Sequence, residues 1–303
     1  MENIKNKKGL SITLIFKGQS LNYGEGIGNI SELKKLTRGD GSVYTYASRQ
    51  AIRYYIVRLG NKLFNWKYDD IVDAKQGTVQ FKKELTIRDS EEMDLFGYFK
   101  TTKKENSDTR SAAVRLSNAI ALEEYKNDME FLTNKGLADR IPRHADPVNV
   151  EQHLSYYTYT ITIDLEKIGK DEEIELSNEE KAERVKQLLD IVKILNREIR
   201  GREENLSPVF VIGGMYDINS PFFLGRIKLN GKNGEFNIDT KMLKDTTTLT
   251  IGDKSIYDDT QVGILKNTFK NETEIEEIFE GKTTNIEEFF KEIKDKVNEY
   301  YKA

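Results

Sequence analysis

The chain has 303 residues, 37% of them hydrophobic and 32% charged, with a net charge of −4 and no cysteine. That balance suits a soluble protein of one large domain or two ordinary ones, and it excludes disulfides, thiolate catalysis and cysteine zinc sites. No apolar run approaches the roughly 18–20 residues of a membrane span and the N-terminus lacks a signal-peptide core, so a cytoplasmic protein without a membrane partner is expected.

The charge is unevenly spread. Residues 1–60 carry ten Lys/Arg against four Asp/Glu, and residues 271–303 carry five against ten. Such asymmetry predicts a basic working surface and an acidic region elsewhere.

In chain order, Ser11 to Lys17 mixes β-branched and apolar residues in a strand-like run. Gly18 to Gly41 is a glycine- and asparagine-rich connection, long enough to suggest function. Within it, Asn22-Tyr-Gly-Glu-Gly-Ile-Gly28 is a loose glycine loop without the residues of a nucleotide-binding motif, and Asp40, between two glycines, reads as a turn residue. A helix is predicted over residues 47–59, closed by Gly60. Arg49 and Arg53 share one face of it, and its polar Ser48-Arg49-Gln50 start makes phosphate a natural ligand for the helix N-terminus.

Residues 61–109 are less regular, with the lone Trp66, a strand expected over Gly77–Ile87, and an exposed polar segment from Lys100 to Thr109. Arg110 to Leu122 reads as an extended apolar segment. Residues 123–153 form a second irregular insert, holding Arg140, Arg143 and both histidines, His144 and His153. The nine-residue spacing of those histidines fits neither a zinc helix nor a familiar catalytic pair, so structural or surface roles are expected and no cofactor is called for.

Leu154 to Leu165 alternates as the clearest strand. Its Tyr156, Tyr157 and Tyr159 suit either a stacking platform for bases or a core, and core is expected for at least one face. Ser177-Asn-Glu-Glu180 is a capping box opening a helix predicted to reach Arg200. Ser207 to Gly213 reads as a buried strand. A final amphipathic helix carries Ile286, Phe289, Phe290, Ile293, Val297 and Tyr300 at helical spacing. Reduced to elements, the first 215 residues give β–α–insert–β–insert–β–α–β, the order of an α+β, ferredoxin-like (RRM-type) βαββαβ sheet.

Several short segments in order, Gly18-Gln-Ser-Leu-Asn22, Gly28-Asn29, Asp40-Gly41 and Ser48-Arg-Gln-Ala-Ile-Arg53, resemble the N-terminal signature of the DevR-type CRISPR-associated backbone proteins. Met93 to Phe99, Arg110 to Leu116 and Tyr125-Lys-Asn-Asp128 continue the pattern to about residue 215. These are the repeated crRNA-binding subunits of Cascade, the seventh-numbered Cas protein, and the chain is most similar to the type I-B branch.

The resemblance implies an RRM-like palm over residues 1–216 with a finger insertion at 61–109 and a thumb hairpin at 123–153; residues 217–303, which contribute little to it, are expected to form an extension packed on the palm. It implies copies stacked head to tail along one crRNA, other Cascade subunits as partners, target DNA reached through the guide duplex, and a role in antiviral defence without enzymatic activity. By motif it points to Asn22, Asn29, Ser48, Gln50 and Arg53 as RNA-binding, with Arg49 beside them. Charge and location add Arg38, Arg110, Arg140 and Arg143. Two other readings use the same residues: a type III-like relative that cleaves target RNA through a loop aspartate, and a stand-alone regulatory RNA-binding protein of RRM type.

Overall fold

The longest strand pairing in the molecule joins Gly9–Gln19 (β1) to Leu154–Asp164 along their full antiparallel length, from Gly9 opposite Asp164 to Gln19 opposite Leu154. The structure is a computed structural model that describes residues 7–74, 79–102, 105–232 and 234–302. It is a mixed α+β protein with seven α-helices among the described residues.

After β1, the chain forms Val43–Ala47 (β2), the helix Arg49–Phe64 (α1), the short helix Glu91–Phe96 (α2) and two short strands, Val114–Leu116 (β3) and Ala119–Ala121 (β4). A hairpin of Asp128–Thr133 (β5) and Pro147–Gln152 (β6) follows, then the Leu154–Asp164 strand (β7), the helix Asn178–Lys193 (α3) and Phe210–Tyr216 (β8). Gln261–Ile264 (β9) and the helix Ile286–Lys302 (α4) belong to the last third. The main sheet has nine strands, and its central order is β9-β8-β1-β7-β4-β2, with β3 also on β7. Every contact between β8, β1, β7 and β3 or β4 is antiparallel.

Alternation along β1 and β7 divides the buried side chains between two faces, as period-2 geometry requires. Leu10, Ile12, Leu14, Phe16, Tyr157, Tyr159, Ile161 and Ile163 join the larger core, beneath α1, α3 and α4. Helix α4 contributes Phe289, Phe290, Ile293 and Val297 to it, and Tyr300 packs at its margin as the helical spacing predicts. On the opposite face Ile15, Phe210 and Ile212 lie under Phe223, Leu243, Phe269 and Phe279. Tyr156 packs edge-on against Phe236 at 5.3 Å. Residues after 217 thus cover both faces, and Tyr156 is withdrawn from any open stacking surface.

Several sequence boundaries are corrected. Helix α1 runs through Gly60 to Phe64 and closes at Asn65, which takes the left-handed conformation at φ 58°. Gly60 is needed for a different reason: a Cβ there would lie 2.3 Å from the Trp66 ring. Trp66 is buried and donates to Gln187 Oε1 of α3 at 2.7 Å. Helix α3 stops at Lys193, and Asn196–Ile199 turns back on Arg202–Asn205 through Arg200 and Gly201, both at positive φ. Only half of the expected capping box forms. Ser177 accepts from Glu180 N, while the Glu180 carboxylate pairs with Arg184 at 2.7 Å.

The strand expected over Gly77–Ile87 begins in residues outside the described set; its described part keeps only Gln80–Phe81 as strand. The Lys100–Thr109 segment, apart from residues 103–104, which also lie outside that set, belongs to a hairpin of Tyr98–Thr102 with Glu105–Arg110. Residues 123–153 are more regular than their sequence suggests, since β5 and β6 pair from Asp128 opposite Gln152 to Thr133 opposite Pro147.

The 61–109 insert is fastened to the rest of the fold at one buried carboxylate. Asp94 of α2 is fully buried and pairs with Arg110 Nη2 at 2.7 Å and Arg184 Nη1 at 2.8 Å. It also accepts the Gly169 amide at 2.9 Å. Arg110 donates to the Lys167 carbonyl at 2.8 Å and to the Lys170 carbonyl. Its side chain is only 6% exposed, so Arg110 is a structural residue and leaves the set of candidate RNA contacts. Asp94→Ala removes the buried carboxylate between two guanidinium groups and leaves them, among the described residues, only Glu180 and Asp171 at their outer edges, and we expect it to lower the unfolding free energy by about 3–5 kcal/mol in denaturant titrations. A loss under about 1 kcal/mol, the range of a surface pair, contradicts this assignment.

Candidate nucleic-acid interface

The start of α1 is built differently from a bare anion site. Ser48 is the N-cap and its Oγ accepts the Ala51 amide at 3.3 Å, while the Ile52 amide bonds to the Ser48 carbonyl at 3.1 Å. Asn22 Oδ1 accepts the Ser48 amide at 3.0 Å, and Asn118 Oδ1 accepts the Arg49 amide at 2.9 Å. These side chains satisfy donors that a helix end otherwise offers to an anion. Only the Gln50 amide of the first turn has no partner among the described residues. The first-turn amides are thus largely committed to protein partners: Asn22 and Ser48 position the loop and helix, and the positive charge at this end is carried by side chains.

Those side chains converge on a groove of about 480 Å³, lined by Arg49, Gln50, Arg53 and Arg115 above Phe96 and Val114. Arg49 and Gln50 are exposed on the helix start. Arg53, one turn on, pairs with Glu92 at 2.7 Å and lies over the Phe96 ring at 5.1 Å. Arg115 projects from β3 between Val114 and Leu116, which are buried or partly so. Among the described residues neither Arg49 nor Arg115 has a carboxylate within ion-pair distance, so the groove carries uncompensated positive charge.

Arg115 and Asn118 were not singled out in the sequence. Arg115 carries a readable signal, one arginine alternating with Val114 and Leu116. Asn118 carries none, because its partner is 69 residues away.

The remaining candidates lie elsewhere. Arg38 stacks over Tyr44 at 5.4 Å in the hairpin of Lys35–Thr37 with β2. Asp40 closes that hairpin's turn: its Oδ1 accepts the Ser42 amide at 3.0 Å and hydroxyl at 2.6 Å, and these bonds hold its carboxyl below the usual range. Asn29 is exposed beside Gly28, whose φ of 60° makes the turn, and the Asn29 carbonyl accepts from the Asn149 amide at 2.9 Å. Arg140, Arg143 and His144 are exposed in the segment between β5 and β6. The structure thus brings Arg49, Gln50 and Arg53 together, ties Asn22 and Ser48 beneath them, and leaves Arg38, Asn29, Arg140 and Arg143 on separate loops.

The β5–β6 hairpin is fastened to the glycine-rich loop by polar contacts. Gln152 Oε1 accepts from Ser20 Oγ at 2.7 Å and Gln19 Nε2 at 2.9 Å. Glu151 accepts the Leu33 amide at 2.7 Å and pairs with Lys35 at 2.6 Å. Next in the chain, His153 is buried; its Nδ1 lies 2.6 Å from Thr45 Oγ1 and its ring meets Tyr125 edge-on. Burial holds its pKa below the ordinary 6.5, against the opposing pull of Glu123 and Asp128.

The model of the family described as CRISPR-associated negative auto-regulator DevR/Csa2 matches residues 10–232. A chain of a solved CRISPR RNA-guided surveillance complex superposes with a TM-score of 0.57 at 13% identity, covering 94% of this chain and 99% of its own length. A chain of a second such complex, described as pre-nicking, gives 0.56 at 11% identity, with 94% and 100% covered. At these identities the likeness is one of fold. No curated protein matches the sequence. Among the described residues no helix is long and apolar enough to cross a membrane.

The pH response of the His153 contact has a defined sign. With the folded pKa depressed below 6.5, the unfolded chain takes up the proton first, so this site's stability is present above pH 6.5 and lost as pH falls through and below it. His153→Gln removes that loss. Unfolding midpoints taken from about pH 7 to about pH 5 should fall more for the native chain than for the variant, and equal slopes contradict the buried neutral imidazole.

Proposed function

The chain belongs to the DevR/Csa2 family of CRISPR-associated proteins, and from that premise we propose that it is a guide-RNA-binding backbone subunit of a type I-B surveillance complex. In this reading copies of the chain line one crRNA in the cytoplasm, together with other Cascade subunits, and present the guide for pairing with target DNA in antiviral defence. The observation that carries the proposal is the groove at the start of α1, where Arg49 and Arg115 stand beside Arg53 without acidic partners among the described residues. Guanidinium groups there meet phosphate and sugar, which every guide shares, and need no base edge.

The β8-β1-β7-β4 order supports reading the centre of the sheet as the ferredoxin-like RRM palm, since it places the four strands of the βαββαβ chain in the order fourth, first, third, second. On the same reading residues 61–109 are the fingers and the β5–β6 hairpin is the thumb, with Arg140 and Arg143 between its strands. Asn29 and Arg38 then extend the RNA path along the loops, and Asn22 and Ser48 act by holding α1. The 217–303 segment acts as an extension packed on the palm.

We propose no catalytic step. Asp40, the loop aspartate that a target-RNA-cleaving relative would use, is committed to the Ser42 turn. Metal-dependent RNA cutting lost in Asp40→Ala would overturn that part of the proposal.

The grip predicts a specific salt dependence. Arg49→Ala should weaken binding to unrelated single-stranded RNAs by the same factor and reduce the slope of log K against log salt by about 0.7. Anisotropy titrations across a salt series check this. A loss confined to one sequence, or an unchanged slope, contradicts it.

A further inference from the structure

The groove at α1 offers more than charge. Its inner wall holds Arg53 by edge and by face: the Glu92 carboxylate accepts from Nη2 at 2.7 Å, and the guanidinium carbon lies 5.1 Å from the centre of the Phe96 ring. Phe96 is 7% exposed, while a third of the Arg53 side chain remains open, so the guanidinium and not the ring forms the accessible surface. A guanidinium held by its edge and backed by a ring on one face is fixed in orientation and leaves its other planar face free for stacking. An arginine serving only as a phosphate contact gains nothing from a carboxylate that neutralises it and pins it flat. Arg49 and Arg115, the unpaired cations of the same groove, already supply charge.

We propose that the Glu92–Arg53–Phe96 stack is a platform for one nucleobase of the guide RNA, turned into the groove while Arg49 and Arg115 hold its flanking phosphates. The inference rests on the guide-RNA reading above and adds a base contact to it. A groove of about 480 Å³ is of the size that takes one nucleotide unit. Stacking of this kind is indifferent to base identity because each base has a π-face, so it is compatible with guides of any sequence. The platform is stiff for a structural reason: Asp94, in the same short helix as Glu92 and Phe96, is locked between Arg110 and Arg184.

The test separates base from phosphate. A short single-stranded RNA and an abasic strand with the same number of phosphates are titrated by anisotropy against the full chain and against Arg53→Lys, which keeps the charge and loses the plane. The native chain should bind the base-bearing strand about fivefold or more tighter than the abasic one. Arg53→Lys should bring that ratio close to one, whatever it does to the abasic affinity. Glu92→Gln, which frees the guanidinium without removing it, should lower the ratio part of the way.

A ratio near one in the native chain, or an equal ratio in Arg53→Lys, overturns the platform and leaves the guide-RNA grip standing. Failure to bind either strand overturns both. Tighter binding of single-stranded DNA than of RNA, with the same loss in Arg53→Lys, overturns the assignment to the guide and gives the platform to a DNA strand.

Discussion

One buried carboxylate sets the geometry on which the site depends. Asp94 is inaccessible to water and is neutralised by two arginines from different parts of the chain, Arg110 and Arg184. A charge so placed is tolerable only when its partners and hydrogen bonds are complete, and it therefore admits few alternative arrangements of the elements around it. Through Arg184 it fixes α2 against α3, and through Gly169 and Arg110 it fixes the loop beyond β7. The groove wall is carried by the same short helix. Glu92 and Phe96 flank Asp94 in α2, so the orientation of Arg53 follows from a buried ion pair beneath it.

A second constraint comes from coverage of the sheet. Both faces are buried: one under α1, α3 and α4, the other under residues 223–279. Tyr156, the aromatic best placed for stacking on an open sheet, is packed against Phe236 and Phe269. The sheet surface is thereby closed, and polar and cationic side chains gather at its margins, where α1 begins, where β3 presents Arg115, and where the glycine-rich loop meets the β5–β6 hairpin through Gln152 and Glu151. The first turn of α1 belongs to this margin. With its amides largely taken by Asn22, Asn118 and Ser48, it is a rigid base for Arg49 and Arg53.

Local signals made much of this legible. The alternation of β7, the apolar stripes of α3 and α4, and the Arg49–Arg53 face are periodic patterns that packing on a single core preserves. The misreadings have a common physical origin in long-range partners. Gly60 resembles a helix terminator until Trp66 is seen to need its missing Cβ. Arg110 resembles a free cation until Asp94 is found 2.7 Å away. Leu195 to Ile199 carries the helical stripe onward, yet the Arg200-Gly201 turn pairs it as a hairpin instead. The β5–β6 hairpin is legible only through the family resemblance and not from its own pattern, because Met129 at 47% and Phe131 at 64% exposure lie outside the core that gives strands their usual alternation.

In the proposed function the chain carries guides that differ in sequence and share a backbone. The most direct measurement is the length and sequence distribution of the RNA that co-purifies with the protein from cells expressing a CRISPR array. The account predicts bound RNA of uniform length whose spacer portions represent the array without preference, because charge and stacking at the α1 groove read no base edge. Protein free of RNA, or RNA enriched for one sequence motif whatever the array contains, contradicts it.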